Sequence, residues 1–154
     1  MVSCLQPVTR YVVCTYDNSL LIIKRVITKS FTISPFFIQP VFREEGHFMI
    51  VSQFQAPNYF LCAFLEDYKM DPSAAQPLLT ISVFDDLADT KDVVLLRCDI
   101  INRGIEDDEG YKICQNLIKD YIDFESVQMF NKKPDHFNID DFVKEKEQKW
   151  DNIS

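Results

Sequence analysis

The sequence predicts an α+β fold: one domain with a mostly antiparallel β-sheet and about three packed helices. Three observations carry this. Six apolar, strand-like runs are joined by short connections, which suit antiparallel neighbours better than crossovers. Two later segments, 107–124 and 139–150, switch to a helical period. The chain of 154 residues is 47% hydrophobic and holds 13 Phe, enough to fill a core without metals or disulfides.

In chain order, Tyr11–Tyr16 is β-branched and aromatic and reads as a strand. Asn18 or Ser19 can cap a helix over residues 20–29, with Leu20, Ile23 and Ile27 on one stripe, although its β-branched residues also suit a strand. Phe36–Arg43 and His47–Gln55 alternate around "REEG", a hairpin turn. Asn58–Leu65 is apolar on both faces and is expected at the centre of the sheet. Leu78–Phe84 and Val93–Asp99 complete the strands. The segment "DDEGYKICQNLIKDYIDF" opens with acids that favour a helix N-terminus and places Tyr111, Cys114, Ile118 and Tyr121 on one face. Asn138 can cap the last helix, with Ile139, Phe142 and Val143 inward.

The hairpin is the most informative stretch. Counting alternate residues through it puts Phe36, Ile38, Phe42, Phe48, Ile50 and Phe54 on a core face. The other parity, Phe37, Gln39, Val41, Arg43, Met49, Val51, Gln53 and Gln55, is mixed. Either the protein's own helices cover it, or it forms a partner-binding surface with an apolar centre and a polar rim. On the second reading the candidate contact residues are Phe37, Val41, Arg43, Met49, Val51 and Gln53.

Other function classes find little support. The formal charge is −8. Residues 1–65 carry 5 basic and 3 acidic side chains, a balance of +2, and residues 66–154 carry 11 and 21, a balance of −10. An acidic surface repels phosphate backbones, so nucleic acid is not an expected partner. There is no apolar run long enough for membrane insertion. With three glycines the chain has no phosphate-cradling loop. The cysteines, Cys4, Cys14, Cys62, Cys98 and Cys114, show no CxxC spacing, and the three within strand-like runs read as buried small hydrophobes. His47 beside Glu44 and Glu45 lacks a defined metal-ligand spacing, and His136 reads as a loop or helix-start residue. No metal, cofactor or catalytic residue is expected.

Four blocks, "PFFIQPVFREEGHFMIVSQFQ", "PLLTISVFDDLADTKDVVLLRCDI", "EGYKICQNLIKDYI" and "FNKKPDHFNIDDFVKE", occur in an order and spacing that resembles one family. It is that of the mitochondrial ATP synthase assembly factors that chaperone the β subunit of the F(1) catalytic head. The likeness runs from about Tyr11 to Trp150. Its pattern falls on Pro40, Arg43, Gln53, Phe54, Leu79, Thr80, Leu87, Asp89, Thr90, Lys91, Val94, Leu95, Gln115, Phe130, Asn131, Pro134 and Phe137, while Val93 stands where such proteins have glycine. The resemblance divides the chain into a divergent start (1–10), an assembly-factor-like domain (11–150) and a tail (151–154).

The resemblance implies a chaperone without chemistry. It would bind the free β subunit, prevent its aggregation and yield it to the α subunit. It would act as a monomer in the mitochondrial matrix, although residues 1–16 show no clear presequence. Two alternatives remain at this stage. One is an interaction module for another client, using an open sheet edge. The other is an enzyme in which Glu45, His47 or Asp89 meet in a cleft.

Overall fold

The computed structural model describes residues 8–15, by their backbone alone, 29–91 and 93–153. A six-stranded, wholly antiparallel sheet forms its frame: β1 (Val8–Thr15), β2 (Phe36–Arg43), β3 (Gly46–Gln55), β4 (Tyr59–Phe64), β5 (Pro77–Phe84) and β6 (Val93–Ile100), in the order β1-β6-β5-β4-β3-β2. β2 to β6 thus form a meander, and β1 pairs with β6 at one edge. Helices α1 (Leu65–Met70), α2 (Ala88–Lys91), α3 (Asp107–Asp123), α4 (Glu125–Lys132) and α5 (Ile139–Trp150) accompany it among the described residues, with a 3-10 turn at Pro134–His136 before α5. Residues 29–33 are also helical. The expected helix over 20–29 lies, apart from Lys29, outside the described residues.

The α+β class and the antiparallel sheet agree with the sequence reading, and β4 does lie inside the sheet. The helix content is richer than expected. α1, α2 and α4 are short, and short helices carry too few turns for a legible period. α4 is separate from α3 because Phe124 takes a left-handed conformation (φ 64°) and ends α3 with its N–H on Asp120 O. Non-glycine residues rarely do this, and no Gly or Pro marks the break. Ile139, expected inward, is 44% exposed.

The division of hairpin faces is corrected. The turn has two residues, Glu44 and Glu45, and Gly46 closes it with φ +139°, where a side chain would be strained. Such a turn pairs Phe37 with Ser52, Gln39 with Ile50 and Val41 with Phe48. Odd positions of β2 therefore share a face with even positions of β3, and the parity flips across the turn.

The inner face joins Phe37, Val41, Phe48, Ile50, Phe60, Cys62, Leu79, Ile81, Leu96 and Cys98 to Ile113, Cys114, Leu117 and Tyr121 of α3. α3 lies close because Gly110 sits over β6: a Cβ there would fall 3.0 Å from Ile100 Cδ1. Phe31 stacks its ring edge-on to Phe60 (4.7 Å) and Tyr121 (4.8 Å), so the helical residues 29–33 belong to the same layer. Burial pushes the Cys62 thiol up to about 12, and Cys62, Cys98 and Cys114 are all buried. Among the described residues the outer face is covered at one end only. There Ile38, Val51, Ala63 and Leu65 form a second cluster with Met49 and Tyr68 under α1.

Candidate functional site

The six candidate contact residues do not form one surface. Phe37 and Val41 are fully buried in the inner core. Phe37 is the hub of an aromatic cage, with ring centroids at 5.5 Å from Phe142, 5.9 Å from Phe130, 6.3 Å from Phe137 and 6.5 Å from Tyr121. Met49 and Val51 belong to the outer cluster beneath α1. Of the six, Arg43 is exposed and Gln53 half-buried, on opposite faces of the sheet, and Met49 is half-buried beside the outer cluster.

Arg43 is a structural clamp. Its guanidinium donates to Glu109 from Nε (2.5 Å, Oε1) and Nη2 (2.8 Å, Oε2), and Nη2 also donates to Gly104 O (2.8 Å). It lies over the Phe48 ring at 4.7 Å. Glu109 is in turn the third residue of α3 and accepts the Glu106 N–H (2.8 Å), closing a capping box. Burial raises the Glu109 carboxyl, but Arg43 and the Glu106 N–H together outweigh it and leave it below the usual carboxylate range. One bidentate pair therefore ties the hairpin tip to the start of α3.

The β2 edge is closed in the same manner. Asn131 of α4 donates through Nδ2 to Phe36 O (2.5 Å) and accepts the Phe36 N–H on Oδ1 (3.2 Å), as a paired strand would. By strand alternation the backbone at Ile38, Pro40 and Phe42 turns the same way, and Pro40 offers no N–H. That edge is guarded against strand addition. α5 is tied to α3 by a buried pair, Lys146 with Asp120, while Asp120 Oδ2 has no hydrogen-bond partner among the described residues. Burial pushes the Asp120 carboxyl up, and Lys146 only partly offsets this.

Glu45, His47 and Asp89 do not converge. Glu45 and His47 lie at the β2–β3 turn, beyond the Phe64 end of β4, whereas Asp89 follows β5 beyond its pairing with the Tyr59 end. Among the described residues no three His, Cys, Asp or Glu side chains gather as a metal ion would require.

What remains is the part of the outer face that no described residue covers. The register aligns two rows across the sheet: Gln53, Leu61, Thr80 and Asp99, then Gln55, Tyr59, Ser82 and Arg97. Tyr59 is 37% exposed and the others are half-buried. Leu61 packs into neither hydrophobic cluster. Arg97 Nε donates to Asp99 (2.8 Å) and its guanidinium faces Phe84 at 5.5 Å, which leaves the surface with little net charge. Sequence reasoning reached Gln53 and Thr80 but missed the rows, because register across four strands is not visible in any one of them.

The family profile described as ATP11 protein matches residues 25–143. The chain belongs to the ATP11 protein family. This agrees with the resemblance carried by the four sequence blocks. The family is one of mitochondrial ATP synthase assembly factors and not of enzymes, so membership implies a role in assembling F1-ATPase in the mitochondrion. A search among curated proteins gives no match. Within the fold, much of the family pattern has structural work: Arg43 clamps the hairpin, Asn131 closes the edge strand, and Phe130 and Phe137 enclose Phe37.

Proposed function

We propose that this protein is a chaperone for the free β subunit of F1-ATPase. It holds that subunit against aggregation and releases it when the α subunit takes its place, as a monomer in the mitochondrial matrix and without a cofactor. Family membership across residues 25–143 is the observation that carries the reading. The client contact is the outer sheet face bearing Gln53, Tyr59, Leu61, Thr80 and Ser82. An uncharged surface with a modest apolar centre suits a chaperone, whose hold on the client has to be weaker than that of the assembly partner.

The test is a pull-down of isolated β subunit without ATP, using the wild type and a Tyr59→Arg variant. Wild type should retain the subunit and suppress its aggregation. The variant should lose most of both while keeping its melting temperature. Retention by Tyr59→Arg at wild-type strength would move the contact elsewhere, and no retention by the wild type would remove the client.

A further inference from the structure

A groove of 510 Å³ opens between the tip of the β2–β3 hairpin and the C-terminal end of α5. Its floor is aromatic: Phe42 and Trp150 meet with ring centroids 5.6 Å apart, and His47 lies 5.5 Å from Phe42. Three carboxylates rim it, Glu44, Glu147 and Asp151. None of the three has an ion-pair partner among the described residues. Among the described residues the one cation in the lining, Arg43, is already taken by Glu109 through two bonds.

Two further observations favour a cation here. Helix α5 ends at the groove, so its last carbonyls add negative potential to that of the carboxylates. The Trp150 ring in the lining also receives a cation within this chain, with Lys112 Nζ 4.9 Å from its centroid.

We infer that the groove binds an arginine side chain presented by an extended segment of a partner protein. A guanidinium fits better than an ammonium, because its plane can stack on the aromatic floor while its donors reach carboxylates on both walls. The inference rests on reading the chain as a binding protein, and it assigns a second contact, separate from the outer sheet face.

The test uses the full chain and a capped peptide with one central arginine, beside the same peptide with citrulline. Trp150, the only tryptophan, lines the groove, so its fluorescence and its indole N–H resonance respond to an occupant there. The arginine peptide should give a saturable change that weakens with salt, and the citrulline peptide should give none. The triple variant Glu44→Gln, Glu147→Gln, Asp151→Asn should bind about tenfold or more weakly at an unchanged melting temperature. No saturable change, an equal response to citrulline, or unaltered binding by the variant would overturn the assignment. So would concentration-dependent self-association that the same variant abolishes, which would give the groove to a second copy of the chain. Because the titration omits the β subunit, its failure is distinct from failure of the chaperone reading.

Discussion

Replacing Phe37 with alanine separates a core role for this residue from a contact role. The side chain is fully buried, and four other rings lean on it from α3, α4, the segment before α5 and α5 itself. Deleting a buried phenylalanine side chain costs roughly 3–5 kcal/mol, the lost transfer energy plus the cavity it leaves. At about 2.1 cal/mol/K per residue, unfolding a chain of 154 residues carries an entropy of about 0.32 kcal/mol/K, so the midpoint should fall by about 9–15 °C. Thermal unfolding followed by far-UV circular dichroism reads this directly. Phe37→Leu, which retains most of the volume, should recover more than half of the loss. If Phe37→Ala melts within about 2 °C of the wild type yet loses its client, the ring is a contact residue and the face assignment is wrong.

Three further outcomes follow from the ties between elements. Lys146→Met leaves the Asp120 charge buried and unpaired and should cost about 3–5 kcal/mol in denaturant unfolding, whereas Lys146→Met with Asp120→Leu should lie within about 1–2 kcal/mol of the wild type. If the double variant is no better than the single one, the pair is not the origin of the loss. Asn131→Ala removes both bonds to the Phe36 backbone and should cost about 1–2 kcal/mol, with faster hydrogen exchange at the Phe36 amide; unchanged exchange there would mean that the edge is not capped by this side chain. Because the folded Glu109 carboxyl lies below its unfolded value, its contribution is fully present above the unfolded value and is lost as pH falls through the folded one. Arg43→Gln should flatten that acid limb of the stability–pH curve and leave the neutral-to-alkaline shape intact; a curve of wild-type shape would exclude the clamp as its cause.

Strand existence was legible in the sequence because alternation and β-branched composition act within each segment. Phe36–Arg43 was bounded to the residue, and β3 to β6 came within one residue at each end. The cap at Asn138 was readable for the same reason, since it lies three residues before the Asp141 N–H that it accepts. The failures were non-local. Whether residues 36–55 turn one face or the other to the core depends on how many residues the turn contains, and a two-residue turn reverses the parity of everything after it. Arg43 looked like a rim contact because its partner, Glu109, lies 66 residues away. The outer face is assembled from two residues of each of four strands, each unremarkable in its own segment.

The central claim is that the chain binds the free β subunit of F1-ATPase. Co-purification from the native cell, with the bound proteins identified by mass spectrometry, tests it most directly. The account predicts that the β subunit is the principal partner, that it is held without ATP, and that adding α subunit displaces it. A preparation from which the β subunit is missing, or in which another protein predominates, would contradict the account.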